Sequence, residues 1–226
     1  MSQVVDEEKK IEGEVENIID ENRVINFSDA VFAFAATLLV LKIDLPRLAG
    51  VDIQTQLATS LINLWPQYLA NVISFLAIGY YWLTHHIIFG LVRRFNRTIV
   101  WMNIVFLILL SFLPFPVDLY GDYYNVPIVV VFYAASIAVL GFMLSLIWFY
   151  ASHNNRLIDP KMSKRQIRFF TIKILMAPAI FTLSIPLVYL HPALTQFSWL
   201  FVILGVILVN RKYNFKKIDA KNDVGI

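Results

Sequence analysis

Cysteine is absent from the 226-residue chain. That removes disulfides, thiolate metal ligands and a cysteine nucleophile, and it leaves the redox compartment unreadable. Charge is also scarce: Asp, Glu, Lys and Arg make up 15% of the residues and apolar types 58%. An ordinary soluble domain carries about 25% charged residues, so the natural solvent for this chain is the bilayer. Residues 1–22 have many carboxylates, no basic start and no apolar core, so they do not read as a signal peptide; the expectation is a solvated helix or disordered tail. The sequence offers no Gly-rich phosphate loop, no Ser-His-Asp set at plausible depth and no paired carboxylates within its apolar runs, so neither an enzyme nor a cofactor is expected. The net charge of +3 follows from where the loops place Lys and Arg, and nucleic acid is not an expected partner.

What the chain does have is apolar runs of spanning length. A helical crossing takes roughly 20 apolar residues, and six stretches qualify, at about Asn26 to Leu45, Leu57 to Thr84, Thr98 to Leu119, Ile128 to Ala151, Arg168 to Leu190 and Leu194 to Val209. The sequence thus predicts an all-α integral membrane protein with a single membrane domain over 23–210, an acidic tail at 1–22 and a basic tail at 211–226. Basic residues gather in alternate connections: Arg93, Arg94 and Arg97; then Arg156, Lys161, Lys164, Arg165 and Arg168; then Arg211, Lys212, Lys216 and Lys217. Opposing loops hold little beyond Arg47. Positively charged loops are retained in the cytoplasm, so both termini are expected inside, in the cell membrane. Pro66, Pro178 and Pro186 fall within spans and are expected to kink them. Tyr80, Tyr81, Tyr120, Tyr123, Tyr124 and Trp148 read as interfacial anchors.

The first span is unlike the others. Arg23 and Asp29 stand at its inner end, and ionisable groups at membrane depth are costly enough to need partners. At about 100° per residue, Phe27, Phe34, Leu38, Leu41 and Leu45 share one narrow stripe, and Asp29 points the other way. Ala30, Ala33, Ala35 and Ala36 let neighbouring helices approach, so the helix reads as enclosed by protein. A large apolar stripe in a membrane protein is by default a lipid-facing or packing surface, and spacing alone does not distinguish that from a pore.

The run Arg23-x-x-x-Phe27-Ser28-Asp29, followed by Thr37-Leu38-Leu39-Val40-Leu41, resembles the bacterial branch of the transmembrane-protein-175 family of potassium channels. Trp82-x-x-His85-His86, Trp101-x-Asn103 and Leu113-Pro114-Phe115 extend the similarity over the first half of the chain. The resemblance implies a homotetrameric channel for K+, and for other monovalent cations, without a carbonyl selectivity loop; no Gly-Tyr-Gly run occurs here. It implies that the first helix of each subunit lines the pore, with Phe34, Leu38 and Leu41 as apolar rings and Thr37 supporting selectivity. Apolar rings can gate by dewetting. Arg23, Phe27, Ser28 and Asp29 would then be the scaffold of the pore helix, with Trp82, His85, His86, Trp101 and Asn103 as a polar network able to fix its rotation. The chain departs from the family pattern at Phe34, bulkier than the usual aliphatic residue, and at Lys42, where an acidic residue is common.

Metal is not expected at His85 and His86, because helical neighbours point about 100° apart and no further ligand lies at suitable spacing. His153 and His191 are isolated. The rival to a channel is a secondary transporter or proton-coupled carrier using Asp29, Arg23, His85 and His86 as an ionisable relay; a third possibility is a structural membrane protein. Besides its own copies, the chain's expected partner is the lipid bilayer.

Overall fold

The computed structural model describes residues 21–41, 43 and 53–212. Residues 1–20 and 213–226, together with Lys42, Leu45, Pro46 and Arg47, lie outside the described residues. The helices are α1 (Glu21–Val40), α2 (Ile53–Asn63), α3 (Trp65–Leu91), α4 (Arg97–Phe112), α5 (Pro114–Asp122), α6 (Pro127–Ser152), α7 (Lys164–Ser184), α8 (Pro192–Ser198) and α9 (Leu200–Lys212). Short 3-10 turns follow α6 and α7, at His153–Asn155 and Ile185–Tyr189.

Among the described residues, five stretches are long and apolar enough to cross a bilayer: Glu21–Val40, Trp65–Leu91, Arg97–Asp122, Pro127–Asn155 and Lys164–Tyr189. The expected sixth, Leu194 to Val209, is divided at Trp199 into α8 and α9, of 7 and 13 residues. The second span also differs from the sequence expectation. Pro66 does not kink it but stands in the first turn of α3, where its missing N–H costs nothing. The span therefore begins at Trp65 and runs on to Leu91, with α2 as a separate helix before it. Pro178 does sit inside α7, and Pro186 opens the 3-10 turn that follows.

Two of the helix starts at the basic end are fixed by side chains, as polar N-caps should fix them. The Asn96 Oδ1 accepts from Ile99 N at 3.0 Å at the head of α4. Ser163 and Gln166 form a reciprocal capping box at the head of α7. Lys164, Arg165 and Arg168 consequently belong to the first turns of α7 and not to the preceding loop. The connections sort to two ends. Arg93 N donates to Leu157 O at 2.7 Å and Val92 bridges to Ile158, so the α3–α4 and α6–α7 connections lie against each other. That end carries the first two of the three basic clusters. At the opposite end Gln67 Nε2 donates to Asp122 Oδ1 at 2.8 Å, and Gln196 Nε2 to Tyr124 O at 3.1 Å.

Helix α6 lies at the centre, packed on α7, α4, α5 and α3. Its approach to α7 and α3 depends on Gly141: a Cβ there would come within 2.6 Å of Tyr81 Oη and 2.9 Å of Pro178 Cβ. Several aromatics expected at the interface are buried in this core. Tyr81 donates to Ile137 O at 2.9 Å, Trp148 Nε1 donates to Thr171 Oγ1 at 2.9 Å, and Tyr120 stacks on Tyr133 with centroids 4.5 Å apart. The polar ends of Tyr81 and Trp148 explain their placement, since a buried hydroxyl or indole N–H that finds an acceptor loses little by leaving water.

Candidate functional site

Helix α1 divides cleanly by face. Ser28, Phe32, Ala35 and Leu39 are buried and pack against α3 and α4; their spacing of four, three and four residues is that of one helical face. On the other side Phe27 is 60% exposed, Phe34 62% and Leu41 75%, with Thr37 exposed and Leu38 half-buried. Of the stripe drawn from periodicity, Phe27, Phe34 and Leu41 therefore stand on the face that the chain leaves uncovered, with Leu38 half-buried beside them. The chain itself encloses the helix on that one buried face.

The buried face is held by a polar chain. Asn103 on α4 donates through Nδ2 to Ser28 Oγ at 2.9 Å, and Ser28 Oγ donates to Val24 O at 2.8 Å. Because the Ser28 hydroxyl spends its proton on that carbonyl, it must accept from Asn103, which fixes the carboxamide with Oδ1 toward His85. That Oδ1 lies 2.9 Å from His85 Nε2, so the imidazole carries a proton on Nε2. His85 is otherwise walled by rings: it stacks on Phe89 at 4.2 Å and Phe106 at 5.6 Å and meets the edge of Phe32 at 5.4 Å. Among the described residues, no buried side-chain nitrogen or oxygen is left without a partner.

A second, separate contact holds Asp29. Its Oδ1 accepts from Trp82 Nε1 at 2.8 Å, and the Trp82 ring lies 6.0 Å from that of the exposed His86. The expected network is thus two groups: Asp29 with Trp82 and His86, and Ser28 with Asn103 and His85. Trp101, 65% exposed, projects from the helical core and joins neither. Arg23 is exposed at the basic end of α1. Thr37 donates its hydroxyl to Phe34 O at 2.9 Å, which keeps it along the helix surface.

One contributor escaped the sequence reading. Asn71 of α3 donates through Nδ2 to Leu39 O, near the C-terminal end of α1. The available signal was a carboxamide inside an apolar span, which needs a partner at membrane depth. His191 is likewise informative after all, since its Nδ1 accepts from Ala193 N at 3.2 Å and starts α8. No group of three or more His, Cys, Asp or Glu able to hold a metal ion occurs among the described residues.

Five long apolar helices among the described residues make this a multi-pass membrane protein. The family described as "Endosomal/lysosomal potassium channel TMEM175" matches residues 23–114. A potassium channel of Chamaesiphon minutus is 32% identical over 174 residues, covering 76% of this chain and 85% of the relative. The crystal structure of a lysosomal potassium-selective channel TMEM175 homolog from the same organism superposes with a TM-score of 0.72 at 28% identity, over 84% of this chain and 98% of that one. A Gallus gallus relative named an endosomal/lysosomal proton channel is 34% identical over 110 residues, 46% of this chain and 22% of the relative. The chain belongs to the TMEM175 family.

Proposed function

We propose that the protein is a homotetrameric potassium channel of the cell membrane, in which the α1 helices of the subunits surround a central path. In this reading Phe34, Leu38 and Leu41 form apolar rings that constrict and gate it, and Thr37 supports selectivity. Arg23, Phe27, Ser28 and Asp29 act as scaffold. The α8–α9 arm completes a sixth crossing, with both termini cytoplasmic.

The observation that carries the proposal is the face of α1. Its inner side is fixed to α3 and α4 through Ser28, Asn103, Asp29 and Trp82, while Phe34 and Leu41 stand out from the subunit. A rotation set this firmly by polar contacts aims a chosen stripe away from the core. Beside it, Ala33, Ala36 and Gly79 help to line a cleft of about 390 Å³ between α1 and α3, and small residues of this kind let a neighbouring subunit's helix approach closely. The names of the bacterial relatives point to K+ as the permeant ion.

The carrier reading has less support. Among the described residues Asp29 and His85 sit in different hydrogen-bonded groups, and Arg23 is exposed, so no continuous relay joins them. The test is flux: the purified protein in liposomes with a potassium gradient should pass current that reverses near the potassium potential and does not move when a proton gradient is imposed. Strictly proton-coupled or electrically silent uptake would defeat the channel.

A further inference from the structure

The seam between α6 and α7 has no part in the account above. A cleft of about 250 Å³ opens along it between Phe142, Leu146 and Phe149 of α6 and Thr171 and Leu175 of α7. Phe149 is three residues, about 5 Å, from the end of α6 at Ser152, so the cleft begins close to the basic end and runs inward as far as Phe142 and Leu175. The polar groups of its walls are spent on the protein itself. Trp148 Nε1 donates to Thr171 Oγ1 at 2.9 Å, Thr171 Oγ1 to Ile167 O at 2.9 Å, and Ser145 Oγ to Gly141 O at 2.8 Å. What the cleft offers an occupant is hydrocarbon.

The stripe of α7 that walls the cleft continues toward the basic end as cations. At about 100° per residue, Lys164, Arg168, Thr171 and Leu175 fall within about 60° of one another, and Lys164 and Arg168 are exposed. Side chains on a helix lean toward its N-terminus, which here is the basic end, so both cations stand at the mouth and the apolar wall leads inward from them. On the α6 side the exposed His153 ring lies 5.6 Å from that of Phe149, which brings an imidazole to the same mouth. Between His153 and Leu175 the chain has six Lys and Arg against one carboxylate, Asp159, and that carboxylate accepts from Lys161 N at 2.8 Å. An occupant must set an anion at the mouth and a chain along the wall. A phospholipid of the leaflet at the basic end has that shape, whereas a free anion would leave the cleft unfilled and an uncharged lipid would leave the cations unmatched.

We infer that the α6–α7 seam binds an anionic phospholipid, with its headgroup phosphate among Lys164, Arg168 and His153 and one acyl chain against Phe142, Leu146 and Leu175. The site is independent of which ion the protein conducts. The test is native mass spectrometry of the intact full-length protein, extracted from membranes that hold phosphatidylglycerol and phosphatidylcholine in equal amounts. The wild type should retain phosphatidylglycerol over phosphatidylcholine by about fivefold or more, the weight of one basic residue near an anionic surface being about fivefold. The double variant K164Q/R168Q should lose that preference, and R94Q, which removes an exposed cation from the other connection at the same end, should keep it. Leu146→Trp fills the cleft and leaves the cations in place; it should reduce retention of both lipids, and this arm stands even if the double variant fails to assemble. An unchanged preference in K164Q/R168Q, an equal loss in R94Q, or displacement of the lipid by millimolar inorganic phosphate would each overturn the site. So would unchanged retention in Leu146→Trp, and a change in subunit number in that variant would assign the seam to a second copy of the chain.

Discussion

Asn103 commits both ends of its carboxamide, one to Ser28 and one to His85, and it is 1% exposed. Removing it leaves the His85 imidazole N–H without a partner and takes from the Ser28 hydroxyl the donor it accepts from, in an apolar setting, a loss of about 1–3 kcal/mol. Asn103→Leu should therefore lower the thermal midpoint of the purified protein by several degrees, read by intrinsic fluorescence. Trp101→Ala, two residues away on the outward face, should leave the subunit's own fold within about 0.5 kcal/mol of the wild type, and any larger loss should appear only as weaker assembly. The members of this polar group were legible in the sequence, because a Ser, a His and an Asn inside apolar spans must find partners. Their pairing was not, since it depends on how each helix is rotated. Asn71 carried the same signal, and its partner, a backbone carbonyl of α1, has no signature in a sequence.

At the scale of the element, α1 is the informative helix and α6 the demanding one. Asp29→Asn keeps an acceptor for Trp82 Nε1, so it should assemble normally; Asp29→Ala leaves the indole N–H without it and should reduce the yield of folded oligomer in gel filtration. Gly141→Ala places a methyl 2.6 Å from Tyr81 Oη and 2.9 Å from the Pro178 ring, overpacking expected to cost about 1–3 kcal/mol, visible as a lower thermal midpoint. Span centres were readable from apolar length; α4 begins, and α6 begins and ends, near where composition places them, whereas α1 begins five residues earlier. Boundaries were less so. The same proline that kinks a helix interior is harmless in a first turn, and only the fold decided that Pro66 belongs to the start of α3. The division at Trp199 was hidden because α8 and α9 are both apolar and read as one run.

For the whole molecule, the family and the two-ended arrangement of the connections were within reach of the sequence, through the Arg23 to Asp29 motif and the clustering of Lys and Arg. Assembly was not, because a stripe such as Phe34, Leu38 and Leu41 looks the same whether lipid, a neighbouring helix or a lumen faces it. If the stripe lines a pore, Leu38→Ala widens an apolar ring and should increase leak current severalfold or reduce the preference for K+ over Na+ in bilayer recordings, whereas a stripe facing lipid would leave both unchanged. The absence of native cysteine allows the sharper measurement. Leu38→Cys and Leu39→Cys proteins, one on the outward face and one on the buried face of α1, are recorded in potassium solution before and after a small thiol-reactive cation such as Ag+. The account predicts that Leu38→Cys loses its current irreversibly while Leu39→Cys and the cysteine-free wild type keep theirs; a Leu38→Cys current that survives the reagent would contradict it.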